Sequence, residues 1–312
     1  MFRVLNAEVQ CGFRTAPATP QVEVVRVPGH TVLYDVNSMA AVEVEDDLAQ
    51  RFADGSGEVS FPGLVSWPSK PQFPFHDTTE CRSLVLEATH ACNLACAYCF
   101  VRNYYENQGG MMTMETARRA IDMIPPGRPL SVGFFGGEPL LNWKLMQGVT
   151  AYVTDLAEKR KVTKSFHVTT NAILLDDERI RFLDENGYSM IVSLDGPEDI
   201  HNRLRPAKDD KLNSQQATLA NVQKLKDTKQ LRHRTTLRST YTGLGADLVA
   251  RLEYLNRIVE DGCASHVSVE PCSLNETACL KLPDGHPLAL TSEHFDGLAE
   301  EYHKAAEWYV TQ

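Results

Sequence analysis

The sequence predicts an α/β fold built from six strand–helix units, with a small α+β module in front of them. Two observations predict it. From Arg82 onward, short apolar runs alternate with longer stretches of helical period, six times over. The residues able to carry chemistry fall just after those apolar runs, at the strand ends where parallel α/β sheets carry their sites. Six units are too few for a closed eight-stranded barrel. The rhythm alone leaves an open, partial barrel and a doubly wound sheet as alternatives.

Residues 1–54 read as a small N-terminal module. The segment Thr31 to Ser38 alternates as a strand does and ends on an Asn-Ser turn signal, Ala40 to Glu45 alternates again, and Asp46 to Ala53 fits a short helix. Residues 55–80 carry Gly, Ser and four prolines (Pro62, Pro68, Pro71, Pro74) without periodicity, and read as a linker. The repeating region occupies 81–312. Its expected strands are Ser83–Ala88, Leu130–Phe135, Ser165–Thr170, Met190–Leu194, Thr235–Tyr241 and His266–Glu270. Its expected helices are Thr113–Ile124, Asn142–Glu158, Asp176–Asn186, Ser214–Asp227, Ala246–Asp261 and Thr291–Tyr309.

Composition narrows the function classes. The 312 residues carry 31 Lys plus Arg against 41 Asp plus Glu, a net charge of -10, which argues against a nucleic-acid partner. No run of 18 apolar residues and no signal-peptide pattern occurs, so the expectation is a cytoplasmic protein without a membrane partner. Eight cysteines are too sparse for a disulfide framework. Three of them, Cys92, Cys96 and Cys99, nevertheless fall in one short stretch, spaced C-x3-C-x2-C directly after the first strand of the repeating region. Three thiolates on one loop can hold an iron–sulfur cube and leave its fourth iron open to a ligand. A zinc site completed by a distant Cys or His is the alternative, although no matching second cysteine pair follows.

Other strand ends add polar groups. The second strand runs into Gly136-Gly137-Glu138-Pro139, where the glycines allow close backbone approach and Glu138 can accept hydrogen bonds from an ammonium. The third ends at Asn171 and the fourth at Ser193-Leu194-Asp195-Gly196, short polar groups suited to hydroxyls and a carboxylate, or simply to turns. Arg238 on the fifth strand is a candidate partner for a carboxylate, whereas Arg205 reads as a surface-covering residue. Glu270 at the end of the sixth strand faces either a substrate or a structural salt bridge.

The cysteine spacing, with aromatic Tyr98 before the third cysteine, resembles the signature of radical S-adenosylmethionine enzymes. Gly-Gly-Glu-Pro, Thr169-Thr170-Asn171, Ser193 to Pro197, His201 to Pro206, and Val267 to Pro271 are similar to segments of the members that modify peptides and proteins, including sulfatase maturases and thioether-forming peptide maturases. The resemblance implies a partial (β/α)6 barrel. It implies a [4Fe-4S] cluster on Cys92, Cys96 and Cys99, and S-adenosyl-L-methionine held by Tyr98, Phe100, Gly136, Gly137, Glu138, Asn171, Ser193, Asp195 and Arg238. It implies reductive cleavage of that cofactor to a 5'-deoxyadenosyl radical, which takes hydrogen from a peptide or protein substrate during maturation. Glu270 is the candidate catalytic residue. The implied partners are a substrate with a leader peptide and a reductant such as flavodoxin or ferredoxin. Leu33 to Ser38 looks like a leader-recognition region, which would add the leader as an extra strand.

A formylglycine-forming sulfatase maturase and a small-molecule radical enzyme are alternatives within the family. A cluster-bearing, peptide-binding scaffold is the non-enzyme alternative. The relatives usually continue into a C-terminal domain with auxiliary clusters. Cys263, Cys272 and Cys279, even with Cys11 and Cys81, offer no obvious second site, so the expectation is either a chain lacking that domain or a truncated form.

Overall fold

A computed structural model describes residues 22–27, 30–35, 40–47, 50, 81, 83–99, 110–244, 247–272, 288 and 300–308. The chain divides into two compact units, residues 1–77 with 306–312, and residues 78–305.

The first unit contains a three-stranded antiparallel sheet in the order β1 (Val22–Val27), β2 (His30–Asp35), β3 (Ala40–Val44). Val25 pairs with Val32 and Leu33 with Val42. The strand β1 was not anticipated from the sequence. Residues 46, 47 and 50 are helical, and Thr31 Oγ1 donates a hydrogen bond to Asp46. The Asn-Ser turn and the linker lie outside the described residues.

The second unit is a six-stranded parallel sheet, β4 (Ser83–Thr89), β5 (Leu130–Gly136), β6 (Lys164–Thr170), β7 (Ser189–Ser193), β8 (Thr235–Tyr241) and β9 (His266–Pro271), in that spatial order. Parallel neighbours taken in chain order require a crossover after every strand. Helices α1 (Met114–Asp122), α2 (Trp143–Arg160), α3 (Asp177–Glu185), α4 (Glu198–Leu204), α5 (Ser214–Gln223) and α6 (Leu248–Glu260) lie in those crossovers. Among the described residues β9 does not pair with β4, so the sheet is open, as a partial barrel requires.

Period-two alternation divides the sheet faces. Leu86, Val132, Phe134, Phe166, Val168, Met190, Val192 and Leu237 are buried in one continuous core with Ile121, Val149, Val153 and Leu183 from the helices. Each such side chain contributes about 1.5–3 kcal/mol of burial. Glu87, Phe135, His167, Thr169, Ser193 and Arg238 occupy the alternate positions and are exposed or half-exposed.

Helix starts follow capping chemistry. Thr113, Asp176 and Asp247 each accept a backbone N–H from the first turn of their helix, at 3.2, 2.9 and 2.8 Å. This places all three just outside α1, α3 and α6, whereas the periodicity predicts each of them inside its helix. The expected helix through Asp227 ends as α5 at Gln223 and tightens into a 3-10 turn over Lys224–Asp227. Of the expected helix Thr291–Tyr309, residues 300–308 are helical and 291–299 lie outside the described residues. The short helix α4 was missed. Among the described residues, no helix is long and apolar enough to cross a membrane.

Candidate functional site

The loop after β4 is built on another stretch of backbone. Ala95 N–H donates to the Pro206 carbonyl and Ala97 N–H to that of Leu204, both at 2.8 Å, while Lys208 N–H donates to the Asn93 carbonyl at 3.0 Å. Leu94 and Ala207 form an antiparallel bridge. The cysteine loop therefore runs as a short strand along residues 204–208, directly after α4. Its three cysteines are free and partly exposed.

Leu94 N–H points at Cys92 Sγ (3.4 Å), and Asn171 Nδ2 lies 3.9 Å from the same sulfur. Burial pushes the Cys92 thiol up and the Cys96 thiol up to about 12, and the neighbouring cysteines add to both shifts, so the three lie within one another's electrostatic reach. Among the described residues, no three His, Cys, Asp or Glu side chains close around a single ion. Three soft sulfur donors with N–H groups aimed at one sulfur fit a wide iron–sulfur cube, which needs no tight ion cage and leaves a fourth iron open. Loading such a cube would displace the thiol protons of Cys92, Cys96 and Cys99.

Tyr98, between the second and third cysteines, donates its hydroxyl to Asp195 Oδ2 at 2.6 Å. Arg205 Nε donates to the same oxygen at 2.9 Å and Arg205 Nη2 to Oδ1 at 3.2 Å, while Thr240 N–H donates to Oδ1 at 2.9 Å. These four donors fill the lone pairs of a carboxylate that is fully buried. The Asp195 carboxyl is held below its ordinary value: burial opposes this, but Arg205 and the donated hydrogen bonds prevail. The Arg205 guanidinium also lies 5.1 Å from the Tyr98 ring centroid. Arg205 is therefore buried, a correction to its reading as a surface residue. His201 completes the back of the site, its Nδ1 accepting Asp195 N–H at 3.2 Å.

Glu138 caps the 3-10 turn Pro139–Asn142. It accepts Leu140 N–H (3.1 Å) and the Thr170 hydroxyl (2.7 Å) on Oε1, and Asn171 N–H (2.8 Å) on Oε2. Burial raises its carboxyl to about 7 against the pull of these donors. One acceptor position on Oε2 is left for a further donor. Asn171 Nδ2 donates to Asn93 Oδ1 at 2.7 Å, tying the end of β6 to the cysteine loop. Ala172 follows at φ 59, a left-handed conformation that costs an alanine roughly 1–2 kcal/mol. Thr170 Oγ1 holds this turn by accepting Ala172 N–H at 2.9 Å.

The two glycines make room for the same loop. A Cβ on Gly136 would sit 2.5 Å from the Thr89 carbonyl oxygen, and one on Gly137 would sit 2.1 Å from that of Ala91. Glu138 N–H donates to the Ala91 carbonyl at 2.8 Å. The close approach expected of a ligand is thus made by the backbone that carries the cysteines.

Ser193 lies half-buried at the end of β7, in register with Arg238 on β8. Arg238 Nη2 and Glu270 Oε1 are 3.0 Å apart and both side chains are well exposed, so these two candidates form a salt bridge. Phe100 lies outside the described residues, as do Cys11 and Cys279. Cys81, Cys263 and Cys272 are free. The sequence reading missed the partners of Tyr98 and Asp195, and it missed His201, Asn93 and Thr170. The motifs His201 to Pro206 and Thr169-Thr170-Asn171 contain part of this set, without assigning His201 or Thr170 a role.

The sequence pattern of the Radical SAM superfamily matches residues 86–242, half of the chain, from within β4 to just past β8. The chain belongs to the Radical SAM superfamily. Enzymes of this superfamily use a [4Fe-4S] cluster and S-adenosylmethionine. An uncharacterized protein of Methanocaldococcus jannaschii is 32% identical over 131 residues, covering 42% of this chain and 44% of that one. A cysteine-type anaerobic sulfatase-maturating enzyme of Clostridium perfringens is 31% identical over 133 residues, covering 39% of this chain and 35% of the enzyme. A radical SAM cyclopropyl synthase, TigE, of Paramaledivibacter caminithermalis is 25% identical over 144 residues, covering 41% and 30%. The radical SAM chain thus spans less than half the length of these curated relatives. A solved structure of native anSMEcpe with bound AdoMet superposes with a TM-score of 0.60 at 19% identity, over 73% of this chain and 61% of that one, which establishes the shared fold.

Proposed function

We propose that this radical SAM protein is a maturase that removes hydrogen from a peptide or protein substrate, forming a thioether or related crosslink. Cys92, Cys96 and Cys99 are its cluster ligands. The observation that carries this reading is the loop itself: three free thiols at the C-terminal end of the first strand of an open parallel sheet, strapped to residues 204–208 and backed by Asn93 and Asn171. When bound, the cluster and S-adenosylmethionine, with one electron from a flavodoxin- or ferredoxin-type donor, would supply a 5'-deoxyadenosyl radical that takes one hydrogen atom from the substrate; closing the C–S bond with a substrate thiol would release the second hydrogen as a proton and hand one electron back to the cluster, so that S-adenosylmethionine is the net two-electron oxidant.

The remaining roles belong to the chain. Glu138 offers its free Oε2 position to the methionine ammonium, and Asn171 and Ser193 offer polar groups to the rest of the cofactor. Asp195 acts on the site through Tyr98, because its own oxygens are filled. Arg238 and Glu270 on the half-exposed sheet face present a charged pair that can open toward a substrate's charged or amide groups. In the N-terminal unit residues 33–35, expected to capture a leader by strand addition, lie on the central strand β2 and are paired on both sides, so they offer no free edge; β1 and β3 each have one side unpaired among the described residues, and either can add a leader peptide as a further strand.

Co-expression with a short cysteine-containing peptide encoded beside this chain tests the reading. Loss of two hydrogens, located by fragmentation to a crosslink between two residues, is expected. An aldehyde trapped by a hydrazine reagent at a single Ser or Cys would instead assign a formylglycine maturase, and an unmodified peptide that still binds would assign a scaffold.

A further inference from the structure

The superfamily assignment explains the three thiols and leaves unexplained why a buried arginine sits behind them. Arg205 occupies the middle of the strap formed by residues 204–208. Its flanking residues Leu204 and Pro206 accept the loop's Ala97 and Ala95 N–H groups at 2.8 Å, so the strap's backbone faces the loop on either side of it. Its own backbone is pinned: Arg205 N–H donates to the His201 carbonyl at 2.7 Å, and the Arg205 carbonyl accepts Ser214 Oγ, also at 2.7 Å. Its side chain forks onto Asp195, which Thr240 N–H fixes to β8, and its guanidinium carbon lies over the Tyr98 ring, 5.1 Å from the centroid. A continuous path therefore runs from β8 through Asp195 and Arg205 to the aromatic ring between Cys96 and Cys99.

We propose that Arg205 is the positioning residue of the cysteine loop, holding Cys96 and Cys99 in place through Asp195 and Tyr98 before any cluster is bound. The geometry requires arginine in particular. A guanidinium presents two parallel donors to one carboxylate while stacking on an aromatic face, and a lysine ammonium does neither. The strap thus fixes the loop from both sides of Arg205.

This inference rests on the reading of the three cysteines as cluster ligands, but its test does not need the cluster. In the full-length apoprotein, Arg205→Lys is expected to accelerate amide exchange at Ala95 and Ala97 and iodoacetamide alkylation of Cys96 by about tenfold or more, the scale of one lost charge-assisted hydrogen bond. Buried Cys263 serves as the internal control for global opening and is expected to react at the wild-type rate. Tyr98→Phe, which keeps the ion pair and removes one hydroxyl, is expected to give a smaller acceleration confined to the same loop. Unchanged loop exchange and Cys96 reactivity in both variants overturn the proposal. Acceleration of Cys263 in step with Cys96 overturns it too, because Arg205 would then support only the fold. Should Arg205→Lys fail to fold, Tyr98→Phe alone decides between loop-confined acceleration and none. A wild-type protein that binds no iron sinks the cluster reading and leaves the loop measurements standing.

Discussion

Asp195 and Arg205 meet as a buried two-point ion pair, 2.9 and 3.2 Å between donors and acceptors, and everything nearby is organised around it. The carboxylate holds β8 and Tyr98, and the guanidinium holds the strap beneath the cysteine loop. Removing one charge strands the other in the interior. Arg205→Met is therefore expected to cost about 3–5 kcal/mol of stability, and combining it with Asp195→Leu to recover a large part of that loss. Urea unfolding of the two variants against the wild type measures both numbers.

His201 gives the fold a pH dependence of known sign. Its Nδ1 must stay unprotonated to accept the Asp195 N–H, and burial with Arg205 nearby lowers its pKa from 6.5 to about 4. Between those values the unfolded chain takes up the proton first. Stability from this residue is complete above pH 6.5 and falls as the pH drops toward about 4, by about 3 kcal/mol in all. Glu138 runs the other way. Its carboxyl is raised from 4.5 to about 7, so the folded state holds the proton longer, and its contribution is greatest below 4.5 and is lost as the pH rises through about 7. Unfolding curves of His201→Asn and Glu138→Gln across pH 4–8, each subtracted from the wild type, separate the two slopes.

Gly137→Ala places a methyl carbon 2.1 Å from the Ala91 carbonyl oxygen, and because the obstacle is backbone, the cysteine loop must move. A stability loss of roughly 1–3 kcal/mol is expected. The sharper effect is on cluster retention, read as iron and sulfide per chain after reconstitution and gel filtration, which is expected to fall well below that of the wild type.

Gly133→Ala probes the half-exposed sheet face independently. Its Cβ would sit 2.0 Å from His167 Nε2, so the imidazole must swing off β5. Because the obstacle is the far end of a side chain, the stability cost is expected to stay near 1 kcal/mol, the low end for overpacking. Cluster loading is expected to be unchanged, and a large loss of iron here would show that the loop and this face are coupled.

The sheet was legible because each strand is a short apolar run with period two, and the cysteine loop because its spacing is contiguous. The site's internal wiring was not legible. Tyr98 and Asp195 are 97 positions apart and touch only because β4 and β7 run parallel in one sheet. Arg205 looked like a surface arginine because nothing local shows that a carboxylate is buried beside it. Gly136 and Gly137 announced a close approach correctly, but the sequence could not tell a ligand from the carbonyls of Thr89 and Ala91. Thr113, Asp176 and Asp247 cap helices that the sequence pattern extends over them, since an apolar period fixes the face of a helix and not its first residue.

The central claim is that Cys92, Cys96 and Cys99 hold a cluster that cleaves S-adenosylmethionine. Anaerobic reconstitution with iron and sulfide, followed by dithionite and S-adenosylmethionine, tests it most directly by counting iron and released 5'-deoxyadenosine. The wild type is expected to bind iron and sulfide in equal amounts and to release 5'-deoxyadenosine, while Cys96→Ala does neither. Stoichiometric zinc without sulfide, or 5'-deoxyadenosine release that survives Cys96→Ala, would contradict the account.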